Sequence, residues 1–124
     1  MPTSDQLRSL ISAYVSALNG RDPDAIAALF AEDAVQADPA SNPPNVGRDA
    51  IRAFFAGSIE ASDGWTFSAP TVHTCGDHVA INFQIDVDAG GATMVMTGIE
   101  VFAVDDEGLI SSVYAYWDES DVSV

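Results

Sequence analysis

Leu7, Leu10, Ile11, Tyr14, Val15 and Leu18 recur at intervals of three and four residues, which puts them on one apolar stripe of a helix. Ser4 is placed to cap its start and Asn19-Gly20 to close it. A second, short helix is predicted from Asp22-Pro23, where aspartate suits the cap and proline the first turn, with Ile26, Leu29 and Phe30 facing inward. From Ala34 to Asn45 the chain passes through Asp38-Pro39 and Pro43-Pro44, which cannot sustain regular structure and set Asp38 at an edge or loop mouth. A third helix follows Gly47, with Ile51, Phe54, Phe55 and Ile59 as its apolar face, and ends before Asp63-Gly64.

After Gly64 the pattern changes from a helical period to alternation, the signature of strands in an antiparallel sheet. The predicted strands are Trp65 to His73, Val79 to Val87, Ala92 to Val104 and Leu109 to Trp117. Asp88 to Gly91 and Asp105 to Gly108 carry the acidic and glycine residues of hairpin turns, so consecutive strands are expected to be neighbours. Helices first and strands afterwards describe an α+β fold. With 124 residues and no repeat, low-complexity tract or linker, residues 1-124 are expected to form a single domain.

Composition narrows the partners. Nineteen acidic residues against four basic ones give a formal net charge of −15, which repels nucleic-acid backbones and anionic membrane surfaces but not an uncharged apolar ligand. Hydrophobic residues make up 48% of the chain, so the acidity belongs to the surface of a folded protein. No apolar run approaches a membrane span, and the N-terminus lacks the basic and apolar regions of a secretory signal. The lone Cys75 has no disulfide partner in the chain, and a reducing cytoplasm is the expected setting. His73 and His78 lack the spacing and third ligand of a metal centre, and no phosphate loop, dinucleotide fingerprint or Gly-x-Ser-x-Gly elbow is present; neither metal nor cofactor is implied.

Three residues carry candidate chemistry. Glu100 shares a strand face with Met94, Met96, Gly98, Phe102 and Val104. Buried there, its carboxyl would be costly to ionise and would act as a neutral hydrogen-bond donor. Because the other face is also apolar, the period alone slightly favours Glu100 as an ordinary exposed surface charge. Tyr14 lies within the buried stripe of the first helix, where a tyrosine commonly only packs, and Asp38 before a proline has a ready explanation as a turn former. Together, a base, a phenol and a neutral acid are the parts needed to remove a proton beside a carbonyl and hold the enolate oxygen.

These residues resemble, over essentially the whole chain, the bacterial Δ5-3-ketosteroid isomerases of the nuclear transport factor 2-like (SnoaL-like) superfamily. The matches are Tyr14-Val15, Leu29 to Ala34, Asp38-Pro39 with Pro43-Pro44 and Gly47-Arg48, Ile99-Glu100-Val101, Asp106-Glu107-Gly108 and Ala115-Tyr116-Trp117. The resemblance implies a cystatin-like cone, a curved antiparallel sheet wrapped around three N-terminal helices with an apolar pocket. It implies Asp38 as general base, with Tyr14 and Glu100 as donors to the steroid's C3 oxygen; ketosteroid isomerase is itself the type case of a carboxylic acid kept neutral by an apolar site. It turns Glu100 inward and assigns Phe54, Ile59, Ile81 and Phe83, with Met96, Val113, Ala115 and Trp117, to the pocket wall. The ligand would be a 3-ketosteroid, and the partner a second copy of the chain, paired through the outer sheet face.

Two departures from the family pattern matter. Glu100 stands where aspartate is usual, and its extra methylene shifts the carboxyl by up to ~1.5 Å. Phe30 and Phe55 stand where some members carry tyrosines that support the catalytic one. The same fold also hosts dehydratases, polyketide cyclases and non-catalytic modules that hold apolar ligands, and these remain alternatives.

Overall fold

The computed structural model describes all 124 residues. Helix α1 spans Ser4–Gly20, α2 Pro23–Ala27 and α3 Arg48–Glu60. The strands are β1 (Phe30–Ala37), β2 (Asn45–Val46), β3 (Gly64–Cys75), β4 (His78–Ala89), β5 (Ala92–Val104), β6 (Ile110–Tyr116) and β7 (Val122–Ser123). They form one curved, unclosed sheet in the order β2-β1-β6-β5-β4-β3, with β7 paired to β5, and the α+β cone is as expected. Register shifts between Ser68 and Thr71 and between Ala103 and Val104 insert extra residues that bend strands, so the sheet can wrap its concave face around the helices.

The helix ends differ in detail from the sequence expectation. Thr3, not Ser4, caps α1, in a reciprocal pair with Gln6; the Ser4 hydroxyl instead meets that of Thr74. Arg21, not Gly20, adopts the left-handed conformation at the other end (φ 53°). Asn19 stitches α1 to β3, donating to the Phe67 carbonyl (2.9 Å) and accepting from the Phe67 amide (2.7 Å). Asp22 caps α2 as expected, but that helix stops at Ala27.

Phe30 opens a strand, and this is the main correction. β1 pairs in parallel with β6, Gln36 opposite Val113 and Ala37 opposite Tyr114, which makes the otherwise antiparallel sheet mixed. The Ala-Glu-Asp-Ala stretch has little strand propensity and falls in the irregular part of the pairing; Phe30 and Val35 to Ala37 are held by β6, distant in sequence, which is a tertiary effect. The clamp between β1 and α3 depends on Gly47 and Arg48. Gly47 takes φ 95° and donates to the Ala34 carbonyl, while Arg48 donates twice to the Phe30 carbonyl (2.9 and 2.7 Å). A cluster of 19 buried residues, including Leu7, Ile26, Phe30, Ile51 and Phe102, fills the space between the helices and the sheet.

Candidate active site

The parallel β1–β6 pair determines where Asp38 sits. Both strands run in the same direction, so Asp38, just past β1, and Trp117, just past β6, emerge at the same end of the sheet. The Trp117 indole N–H donates to Asp38 Oδ1 at 2.6 Å. The Ala40 amide donates to the Ala115 carbonyl at 2.6 Å, folding the 38–44 loop back over β6. Ala115 is also the register partner of Glu100, so the loop carrying Asp38 is tied to the row that carries Glu100.

Glu100 is buried (5% exposed) in the middle of β5, with Ile81 opposite on one side and Ala115 on the other. The period left its face open; the curvature settles it, because the concave face is covered by α1. From α1, Tyr14 is 2% exposed and held edge-on by Phe30, Phe67 and Phe102, with ring centroids at 6.5, 5.9 and 5.1 Å. Its hydroxyl donates to Glu100 Oε2 at 3.2 Å. With phenylalanine at 30 and 55, no second hydroxyl supports it from those positions.

Tyr14, Asp38 and Glu100 line one cavity of about 530 Å³, within the range of small-molecule sites. Phe54, Phe83, Met96 and Trp117 line it as well. Ile81, Val113, Ala115 and Ile59 do not. The first three share the concave face but belong to the packed core, and Ile59, partly buried, packs against that core. Gly98 makes room for the wall, since a Cβ there would come within 2.7 Å of the Phe83 ring and 2.6 Å of the Tyr116 carbonyl. Freed in this way, Phe83 stacks on Phe67 at 5.8 Å.

The assignments missed the outer half of the wall: Ile85, Val87 and Ala89 on β4, Met94 on β5, and Ser58, Ala61 and Ser62 along α3 and just past it. The signal was present. The first three continue the alternation of Phe83, Met94 continues that of Met96, and Ser58 and Ala61 follow Phe54 at helical spacing.

Burial separates the ionisation of the two acids. Glu100 is pushed up to about 8, first by loss of water around the carboxyl and then by the nearby charge of Asp38, against a smaller opposing effect of the Tyr14 hydrogen bond. Asp38 is raised by burial to a lesser degree, and the Trp117 hydrogen bond offsets part of the rise. Tyr14 is held well above its usual value by burial and by the two neighbouring carboxyls. Near neutrality the cavity therefore holds a neutral phenol, a neutral carboxylic acid and an ionised carboxylate, which together can accept a proton from an apolar substrate and donate hydrogen bonds to a nascent oxyanion.

A curved mixed sheet around three helices, enclosing a mainly apolar cavity lined by two acids and a phenol, defines a cone-fold protein with room for a small apolar ligand. The SnoaL-like domain profile matches residues 11–113, and the chain belongs to the SnoaL-like family. It is 33% identical over 121 residues, 98% of this chain and 97% of the relative, to the Steroid Delta-isomerase of Nocardioides simplex. It is 27% identical to Epoxide hydrolase LasB of Streptomyces lasalocidi, covering 99% of this chain and 45% of that protein. Among solved structures, the epoxide hydrolase/cyclase-like enzyme SalBIII, described in pyran ring formation in the polyether salinomycin, superposes with a TM-score of 0.92 at 25% identity, covering 100% of this chain and 99% of that one. RV0760c of Mycobacterium tuberculosis shares the fold, with a TM-score of 0.88 at 22% identity over 99% and 98% of the two chains.

Proposed function

We propose that the protein is a steroid Δ-isomerase that converts 3-oxo-Δ5-steroids to 3-oxo-Δ4-steroids without a cofactor. The observation that carries this reading is the buried Tyr14–Glu100 pair, two neutral donors in an apolar cavity that also holds Asp38. Asp38 takes a proton from C4, and the C–H electrons move through the C3 carbonyl to give a dienolate. Tyr14 and the Glu100 carboxylic acid donate to the dienolate oxygen, and Asp38 returns the proton at C6 as the double bond moves into conjugation. A donor of this kind is typically worth ~3–4 kcal/mol in the transition state, and a positioned base ~10²–10⁴ in rate. The 33% identity to a steroid isomerase over nearly the whole chain supports the choice of substrate.

The test follows enone absorbance with a 5-ene-3-one steroid. Asp38→Asn keeps the shape of the side chain and should lower kcat at least ~100-fold; unchanged turnover would remove Asp38 as the base.

A second reading rests on the likeness to the two epoxide hydrolase relatives. In it, Glu100 gives its proton to an epoxide oxygen while Asp38 takes one from the attacking hydroxyl. A ring-opened product from an epoxide substrate, with no enone from any steroid, would favour this chemistry.

We also propose pairing of two copies through the convex sheet face, where Ile99, Tyr114 and Tyr116 are exposed. Sedimentation at the mass of one chain would exclude it. The exposed free thiol of Cys75 suits the proposed reducing cytoplasm.

A further inference from the structure

The cavity is longer than the proposed chemistry requires. Its acidic end lies at Glu100, and its wall follows β5 outward through Met96 to Met94, six residues away and ~20 Å along the strand. A four-ring nucleus with its C3 oxygen at Glu100 is ~10 Å long, about the rise of three strand residues, and so ends short of the Met96–Ile85 row, four residues and ~13 Å along β5. Beyond that row lie Val87 opposite Met94, then Ala89 opposite Ala92. Exposure rises along the same path, from 5% at Glu100 to 38% at Met94, so the outer wall is an open apolar trough.

The polar groups around this outer half are already committed within the protein. Ser58 Oγ donates to the Phe54 carbonyl (3.0 Å). Ser62 Oγ accepts from Arg21 (3.0 Å) and faces the Ser58 and Ile59 carbonyls. Arg21 spends its other donor on the Ile59 and Ser62 carbonyls and lies over the Trp65 ring, whose N–H is held by the Leu18 carbonyl at 2.7 Å. A ligand ketone oxygen at this end meets no uncommitted donor among these groups and gains nothing over its bonds to water, whereas a hydrocarbon would cover bare Val87, Ala89 and Met94.

We infer that the natural substrate carries an extended aliphatic segment beyond the nucleus, so that the enzyme prefers sterol-type 3-oxo-Δ5 compounds with an intact side chain over analogues that end in a C17 oxygen. This rests on the proposed isomerase reading for the orientation, with the C3 oxygen at Glu100. Each buried methylene favours binding up to ~4-fold, and in a half-open trough half of that in free energy, ~2-fold. Over the seven or eight carbons of such a chain this amounts to roughly 100-fold, and a tenfold preference is the least this burial should give.

The experiment compares cholest-5-en-3-one with androst-5-ene-3,17-dione on the wild type and on Met94→Asp, which puts a charge into the trough. In parallel, tryptophan fluorescence reads the binding of the corresponding conjugated 4-en-3-ones. The expected result is at least tenfold higher kcat/KM for the side-chain substrate, carried by KM, and a ratio that falls at least tenfold in Met94→Asp. An equal or reversed preference in the wild type, or a ratio that Met94→Asp leaves unmoved, overturns the inference while the isomerase reading stands. If neither compound turns over, the isomerase reading fails; the trough is then upheld by tighter binding of the long ligand that Met94→Asp abolishes, and overturned by equal binding.

Discussion

Replacing Glu100 by glutamine tests the electrostatics of the site without any substrate. The carboxyl lies between Ile81 and Ala115 at 5% exposure, and burial with the nearby Asp38 charge raises its pKa from an ordinary 4.5 to about 8. Below pH 4.5 the folded and unfolded chains both hold this proton, so the group contributes nothing to the pH dependence. Between 4.5 and about 8 only the folded chain holds it, and stability falls as the pH rises; above about 8 both forms have released it and the loss is complete. At ~1.4 kcal/mol per pH unit the span amounts to about 5 kcal/mol, a third or more of the 5–15 kcal/mol typical of a domain.

Glutamine is close in shape, leaves an oxygen for Tyr14 to donate to, and has no proton to lose. Urea unfolding of both proteins at intervals from pH 4.5 to 9 should therefore show the wild type losing about 5 kcal/mol relative to Glu100→Gln across this range, with the difference levelling off beyond pH 8 to 9. Asp38 also weakens the wild type as the pH rises, but its shift comes from burial and Trp117, so its contribution is common to both proteins and cancels in the difference. Parallel stability curves would mean that the Glu100 carboxyl is not desolvated, and the neutral donor would be lost from the mechanism.

Two further outcomes follow from the geometry. Trp117→Phe removes the 2.6 Å hydrogen bond that offsets part of the rise at Asp38, so the acid limb of the kcat/KM profile should move to higher pH; an unmoved limb would show that the indole N–H does not reach the base. Gly98→Ala drives a methyl into the Phe83 ring and the Tyr116 carbonyl, and should cost ~1–3 kcal/mol in denaturant unfolding and weaken ligand binding, whereas a neutral result would mean that the Phe83 stack shifts freely.

Much of the fold was legible because the period is clear wherever one face of an element is buried. The stripe of α1 and the alternation of β3 to β6 placed those elements to within a few residues, and the span of β5 was predicted without error. β1 was not legible: Ala31, Glu32, Asp33 and Ala34 carry no strand signal of their own, and the strand is held by β6, which pairs Phe30 and Val35 to Ala37 from far along the sequence. Period also cannot separate pocket from core on one concave face. Ile81, Val113 and Ala115 point the same way as Phe83 and Met96, and only the packing in three dimensions tells which of them border the cavity.

The same limit explains why Glu100 required more than its strand. Val95, Ile99 and Val101 make the outer face of β5 nearly as apolar as the inner one, so alternation alone gave no direction for the carboxyl. The fold supplies one by placing two chemically similar acids in unlike surroundings. Asp38 is partly exposed and receives an indole N–H, while Glu100 has aliphatic neighbours on both sides and a phenol above it. The charge on the first then reinforces neutrality of the second, so a proton acceptor and an uncharged donor coexist in one cavity. The Glu100 carboxyl lies 3.2 Å from the Tyr14 hydroxyl, longer than the 2.7–2.8 Å usual for such bonds. A bond this long is readily exchanged for one to a ligand oxygen, as the proposed mechanism requires.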